Sequence, residues 1–249
     1  MKAALKSTFF IAVLLSFGAA YALGQQSALK RSAASRTAAH PDLSGIWKVM
    51  NSASWDILDH VDQQGIPAGR SVVEEGELPY RPDALEQKKR NFETRSTSDP
   101  ETRCNLPGVP RITYMPFPFQ IVQTPKQITM LYEYAHAVRN IFMDSPHPRA
   151  GLDWWLGDSR GHWEGNTLVV DVADFNELTW FDKAGNFHSD ALHVIERYTP
   201  AGPDHLRYEA LIEDPKVFTR PWKMTMLLYR QKEKDAQLLE YECFSFETK

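Results

Sequence analysis

Short apolar runs separated by turn signals fill the second half of the chain, and this rhythm limits its fold more than any other feature. Residues 161–171 give the clearest case, with Glu164-Gly165-Asn166 between two extended runs. Such a pattern is typical of a β-hairpin. The other runs cover residues 45–49, 117–123, 128–134, 136–143, 192–199, 206–212, 222–230 and 238–244. Helices do not alternate with these runs, so a parallel α/β sheet is not expected.

Closure of the sheet is the next expectation, because a meander that closes on itself leaves no exposed edge strand. We therefore expect a mostly β protein, an antiparallel meander closed into a barrel of about eight strands. Residues 65–118 precede most of it and are rich in proline, glycine and charge. One short helix is predicted there, from Pro82 to about Arg95, with Leu85 and Phe92 on one face.

Alternation of apolar and polar residues shows which side chains should face the barrel interior. It is regular in residues 206–212 and 222–230 and broken in two other strands. In residues 192–198, His193 and Arg197 share one face and Glu196 lies on the other. In residues 131–139, His136 and Arg139 fall on opposite faces, and Glu133 and Arg139 share a face as an expected outer ion pair. Titratable groups on mixed faces are typical of a lined cavity.

A long connection at residues 175–191 carries the richest set of chemical groups. His188 lies in it and His193 directly follows, and both are candidates for acid–base chemistry near neutral pH. A divalent metal bound by His136, His188 and His193 is an alternative. The structural alternative is that His188 bonds the backbone of its loop and that His193 is an ordinary sheet residue. His147, between two prolines, is expected to face solvent, with the mouth of the barrel as an alternative position.

Aromatic side chains are numerous enough to line a ligand pocket. Trp154 and Trp155 are adjacent, so at least one of them should lie at a surface, a lid or a pocket. The residues that we expect to contact a ligand are Tyr132, Tyr134, Trp155, Asn176, Trp180, Glu196 and Trp222.

The amino terminus indicates export. Residues 1–24 combine a basic start, an apolar run and a final Ala20-Tyr21-Ala22, as in a signal peptide, with a single N-terminal anchor as the alternative. Residues 25–40 are predicted to be a disordered leader, and residues 41–249 a single barrel domain. In an oxidising periplasmic or secreted environment, Cys104 and Cys243 are expected to form a disulfide.

Charge and missing motifs narrow the function. Removal of residues 1–24 leaves 26 basic and 32 acidic residues, a net charge of −6. This excess of negative charge argues against nucleic acid and anionic membranes as partners, so a small molecule is the expected partner. The sequence contains no phosphate-binding glycine loop, no G-x-S-x-G, no H-E-x-x-H and no C-x-x-C. No cofactor is therefore expected.

Two resemblances support the fold. Gly45-Ile46-Trp47 is similar to the G-x-W opening of lipocalin-like (calycin) barrels. A wider pattern includes residues 95–100, 107–111, 117–123, 132–139, 163–171, 175–176, 188–197 and 239–243. With this pattern the chain resembles a family of uncharacterised exported bacterial proteins, which implies a β-barrel with a pocket.

Three functions follow as hypotheses. The first is an enzyme of lyase, hydratase or isomerase type acting on an apolar or aromatic molecule. In it, His136, His188 and His193 would move protons, and Arg139 or Arg197 would hold negative charge. The second is a lipocalin-like protein that binds a hydrophobic molecule without turnover. The third is a metal-dependent enzyme with histidine ligands.

Overall fold

A computed structural model describes residues 40–62, 66–149 and 152–244 of the chain. The predicted signal peptide and the predicted leader up to residue 39 lie outside this part. Within it, nine strands follow one another around a closed barrel, which confirms the mostly β prediction with nine strands where about eight were expected. The strands are β1 (Gly45–Val49), β2 (Phe119–Gln123), β3 (Gln127–Tyr132), β4 (Val138–Met143), β5 (Asp158–Glu164), β6 (Thr167–Ala173), β7 (His193–Pro200), β8 (His205–Glu213) and β9 (Trp222–Arg230).

One interface of the barrel departs from the predicted meander. β4 and β5 are parallel, while the other neighbouring strands of the described chain, including β1 and β9, are antiparallel. A parallel pair cannot be joined by a tight turn. The connection at residues 144–157 therefore has to return to the end at which β4 began. The β4–β5 ladder pairs Ile141–Met143 with Ser159–Gly161, so residues 138–140 of β4 precede the first pair.

The barrel interior is filled by side chains from the strand faces that the apolar–polar alternation predicted to point inward. Met224 and Leu228 of β9 are fully buried, as are Tyr208 and Ile212 of β8. Trp47 is also buried, and its indole N–H donates to the Leu43 carbonyl at 2.9 Å. The core is therefore built by residues of alternating parity from the short strands, with burial of apolar area as its main source of stability.

The helix α1 (Pro82–Ser98) confirms the predicted start but runs three residues beyond Arg95. Its buried residues are Ala84 and Asn91, whereas Leu85 is 40% exposed. The expected contact face was thus displaced by one residue. The reason is a close approach to Gly185, whose carbonyl accepts a hydrogen bond from the Asn91 amide at 3.3 Å. A side chain at Gly185 would collide with Asn91.

Cys104 and Cys243 form the predicted disulfide, with Cα atoms 5.4 Å apart. The predicted strand at residues 238–244 is wrong, because this tail has a single bridge, between Tyr134 and Tyr241, in place of a ladder. Tyr241 stacks on Tyr134, and the disulfide fastens the end of the tail beyond it. No helix in the described part of the chain is both long enough and apolar enough to cross a membrane.

Candidate functional site

A cavity of about 550 Å³ lies between β4 and the start of β5, and we call it the seam cavity. One wall is the outer face of β4, where Val138 and Phe142 are exposed. Trp154, Trp155 and other residues that precede β5 form the opposite wall. The volume falls in the range of small-molecule sites.

The parallel register explains why the cavity forms here. Residues 138–140 precede the first β4–β5 pair, so the barrel wall is split at this end. Residues of both faces therefore border the same space. Val138 and Phe142 point outward, while Arg139 and Ser159 are buried toward the interior.

The main chain of Trp154 holds the opposite wall in place. Its N–H donates to the Asp174 carbonyl at 2.8 Å, and its carbonyl accepts from the Asn176 N–H at 3.1 Å. Trp154 is 45% exposed and Trp155 is half-buried, as their adjacency in sequence predicts. These two backbone bonds join the wall to the segment that follows β6, so the indole rings have a fixed support.

Arg139 and Glu196 form an ion pair inside the barrel, and both are fully buried. The Arg139 Nη1 donates to Glu196 Oε1 at 3.2 Å, Nη2 donates to Oε2, and Nε donates to the Ser159 hydroxyl at 2.9 Å. The hydroxyls of Tyr198 and Tyr208 donate to Glu196 Oε1 at 3.0 and 2.8 Å. The predicted ion pair of Arg139 with Glu133 is therefore wrong. Strand β3 ends at Tyr132, and a turn with positive φ at Ala135 and His136 resets the alternation.

Burial alone would lower the pKa of Arg139, but the Glu196 carboxylate outweighs it and holds that pKa above its ordinary value. Burial, followed by the same carboxylate, raises the pKa of Tyr198 and Tyr208. The tyrosines thus remain neutral donors at physiological pH, and Arg139 remains charged.

A second polar group borders the cavity on the outside. Asp158 accepts two hydrogen bonds from Arg160, at 2.5 and 2.7 Å, and lies 2.7 Å from the Nδ1 of His147. The Arg160 guanidinium lies 4.9 Å from the centre of the Phe142 ring. His147, expected in solvent or at the barrel mouth, is partly exposed and pairs with Asp158, a residue that borders the cavity.

A row of alternating acids and imidazoles continues from His147 across β6, β7 and β8. The His147 Nε2 is 3.2 Å from Asp171 Oδ1, and the His193 Nε2 is 2.7 Å from the same oxygen. The His193 Nδ1 lies 3.2 Å from Glu213. Burial lowers the pKa of His193, but the bonds to Asp171 and Glu213 outweigh it, so its pKa is raised.

His188 occupies a different environment. It is buried, with Nε2 2.6 Å from the Thr179 hydroxyl and Nδ1 2.8 Å from the Ser189 carbonyl. The rings of Phe175 and Phe181 lie against it, and burial lowers its pKa. These contacts match the structural alternative, in which the imidazole supports its own loop.

The remaining charged candidates lie at the surface. His136 is in the β3–β4 turn, 3.0 Å from the Glu242 carboxylate. Arg197 is on the outer face of β7, 2.8 Å from Glu164. Among the described residues, His136, His188 and His193 thus have no hydrogen-bond partner in common. In the described segments, no group of three or more His, Cys, Asp or Glu side chains is arranged to hold a metal ion.

The residues that were predicted to contact a ligand lie in different parts of the fold. Trp155 lines the seam cavity, whereas Tyr132 is in the barrel core and Trp222 packs against Phe181. The other three lie elsewhere: Tyr134 stacks on the tail, Trp180 pairs with Phe187, and the side chain of Asn176 caps the Leu178 N–H.

Sequence reasoning missed several residues of the seam cavity, above all Phe142, Trp154, Asp158 and Ser159. The Trp154-Trp155 pair was a usable signal, since it predicted a surface or pocket. The parallel register that splits the wall leaves no such signal in the sequence.

No protein-family model, no curated protein and no solved structure matches this chain.

Proposed function

We propose that the chain binds a small, mainly apolar molecule in the seam cavity. The observation that carries the proposal is apolar area left open around a concave space. Leu152 is 66% exposed and Trp154 is 45% exposed, and Val138 and Phe142 are also exposed on the opposite wall. A bound molecule would cover these side chains, and burial of apolar area favours association.

The positions of the histidines favour binding over the histidine mechanism of the first hypothesis. The side chains that line the seam cavity do not include His136, His188 or His193. Trp154 and Trp155 supply instead the flat apolar surfaces that suit aromatic or alicyclic compounds.

A titration tests the proposal. A panel of aromatic and terpenoid compounds is added to the mature chain, and tryptophan fluorescence and calorimetry report binding. We expect Leu152→Asp to weaken binding at least tenfold, because it places a charge in the apolar wall. Leu227→Asp is the matched control, since Leu227 is an exposed leucine on β9, away from the cavity. Equal loss in both variants, or no binding by any compound, would contradict the proposal.

A second candidate function is acid–base catalysis in the same cavity. One observation favours it: Asp158, which borders the cavity, is paired with the imidazole of His147. Incubation of each bound compound with the protein, followed by mass spectrometry, tests it. Turnover that His147→Gln abolishes without a change in affinity would support catalysis, and unchanged compounds would contradict it.

We further propose that the chain is exported and belongs to the family of exported bacterial proteins that it resembles. The disulfide between Cys104 and Cys243 supports export, because such bonds persist in oxidising compartments. Cell fractionation with detection of the processed amino terminus tests it. Retention of the unprocessed chain in the cytoplasm would contradict it.

A further inference from the structure

Asn140 lies between two of the exposed apolar side chains of the seam cavity. Val138, Asn140 and Phe142 alternate along the outer face of β4, where all three are exposed, and all three border the cavity. Neighbours on one face of a strand are about 7 Å apart, because a strand rises about 3.3 Å per residue. A ligand that covers both apolar side chains must therefore also cover Asn140.

The side-chain amide of Asn140 is held in one orientation by strand β3. Its Oδ1 accepts a hydrogen bond from the Gln127 Nε2 at 2.8 Å and another from the Thr129 hydroxyl at 3.0 Å. Thr129 is the direct partner of Asn140 in the β3–β4 ladder, so Oδ1 is directed toward β3. The two amide atoms diverge from one carbon, so Nδ2 is directed away from β3. The seam cavity lies on that side, because β4 stands between β3 and β5.

This orientation makes Asn140 a hydrogen-bond donor toward the cavity. An amide oxygen has two lone pairs, and the bonds from Gln127 and Thr129 occupy both. Among the described residues, the Asn140 Nδ2 has no hydrogen-bond partner, so its N–H groups face water in the empty cavity. A ligand that displaces this water without accepting a bond would leave the donor unpaired, which costs affinity.

We propose that Asn140 determines which ligands the seam cavity accepts, by donating a hydrogen bond from Nδ2 to an acceptor atom of the ligand. This inference rests on the proposed function and names a specificity-determining residue of the same site. The favoured ligand is an apolar molecule with a carbonyl or ether oxygen that reaches Asn140 while its apolar body lies against Phe142. Since the amide is held before the ligand binds, the bond requires little further ordering of the side chain.

A matched pair of compounds tests the inference by calorimetry on the mature chain. The probes are 2-acetylnaphthalene and 2-isopropenylnaphthalene, which have the same shape. The carbonyl oxygen of the first is a CH2 group in the second. The quantity compared is the ratio of their two dissociation constants, because the difference in hydration between the compounds is the same for every protein variant.

Two substitutions remove the donor. Asn140→Asp keeps an oxygen for Gln127 and Thr129 and places a second oxygen where Nδ2 was, whereas Asn140→Leu removes the amide without adding a charge. We expect each to shift the ratio at least fivefold against the ketone. 2-Isopropenylnaphthalene should still bind to both variants, which would show that they are folded.

Asn166→Asp is the matched control, because Asn166 is an exposed asparagine in the turn between β5 and β6 and does not border the cavity. We expect it to leave the ratio unchanged. A ratio that stays the same in Asn140→Asp or in Asn140→Leu would overturn the inference, and so would an equal shift in Asn166→Asp.

The two levels of the proposal fail in different ways. If neither probe nor any compound of the wider panel binds to the original chain, the proposed function itself is contradicted. If both probes bind and the ratio is the same in all variants, the proposed function stands and the role of Asn140 is wrong.

Discussion

His147 and His193 approach the same oxygen atom, Oδ1 of Asp171, from two separate parts of the chain. His147 belongs to the connection between β4 and β5, and His193 begins β7. Each imidazole also has a carboxylate at its other nitrogen, Asp158 for His147 and Glu213 for His193. An imidazole with carboxylates at both nitrogens donates to both only when it is protonated.

The row of His147, Asp171, His193 and Glu213 is expected to contribute free energy of unfolding that is lost as pH rises. The pKa of His193 is raised in the folded chain, so its contribution is complete below the unfolded pKa and is lost as pH rises through the folded value. About a third of the His193 side chain is exposed, and Asp171 is more exposed. We therefore expect His193→Gln to lower the free energy of unfolding by less than about 1 kcal/mol at pH 5.5 and to have little effect at pH 8.5.

Urea unfolding at the two pH values measures this difference. His162→Gln is the control, because His162 lies on the outer face of β5 beside Glu164 and outside the row. A loss in His193→Gln that is larger at pH 8.5 than at pH 5.5 would contradict the assignment.

Two neighbouring acids, the buried Asp182 and the half-buried Asp56, predict a second effect of pH on stability. Burial, followed by the charge of Asp56, raises the pKa of Asp182 to about 7. Asp182 accepts bonds from the Ile57 N–H at 3.0 Å and from the side chain of Asn186 at 2.6 Å, which oppose this shift. Because the folded chain holds this proton more tightly than the unfolded chain, stability falls as pH rises from about 4 to about 7.

We expect Asp56→Asn to reduce that fall, because it removes the neighbouring negative charge and keeps the oxygen that accepts the Leu58 N–H. The gain at pH 8 should be of order 1 kcal/mol, and it should be smaller at pH 4. Thermal unfolding against pH measures it, with the exposed Asp62→Asn as the control. A gain that is the same at both pH values would show that Asp56 does not act through Asp182.

The ion pair in the barrel predicts unequal costs for single and double substitutions. Glu196→Gln leaves Arg139 buried without its countercharge, and we expect a loss of about 3–5 kcal/mol. Arg139→Met with Glu196→Met removes both charges and should cost much less free energy of unfolding than the single substitution. This holds although the hydroxyls of Tyr198 and Tyr208 lose Glu196 as their acceptor. Urea unfolding of Arg139→Met, Glu196→Met and the double variant measures the coupling. Additive losses would contradict a paired charge.

Much of the fold could be predicted from residue patterns, because each strand shows its inner face locally. The alternation along β7 placed Glu196 on the face opposite His193 and Arg197, as the structure has it. This prediction depends only on the period of two in a strand.

The candidate site could not be predicted in the same way, because it depends on pairing between distant segments. The parallel register of β4 and β5 splits the barrel wall at the cavity. The sequence of neither strand shows which strand it pairs with. Arg139 was assigned to Glu133 because the turn at Ala135 and His136, which changes the parity, was read as continuous strand. The buried face of helix α1 lies one residue away from the predicted face for a similar reason, because the contact of Asn91 with Gly185 joins distant parts of the chain.

Loss of the disulfide is expected to lower the free energy of unfolding and to loosen the tail that ends at Cys243. Cys104 and Cys243 are 139 residues apart, and in the chain-entropy model closing such a loop stabilises the fold by about 4–5 kcal/mol. We expect Cys104→Ser with Cys243→Ser to lower the free energy of unfolding by up to that amount. The tail should lose protection first, because it is joined to the barrel by few bonds, among them the one from the Leu239 N–H to Glu133 at 2.8 Å.

Denaturant unfolding and hydrogen exchange of the double variant measure both effects. The matched control is Leu239→Ala in the disulfide-bonded chain, which trims an exposed side chain of the tail and leaves the cross-link intact. We expect faster exchange at residues 231–244 in the serine variant, with a larger acceleration there than in β7 and β8, where exchange follows only the loss of global stability. Equal acceleration throughout the barrel would mean that the disulfide stabilises the fold as a whole and does not specifically hold the tail.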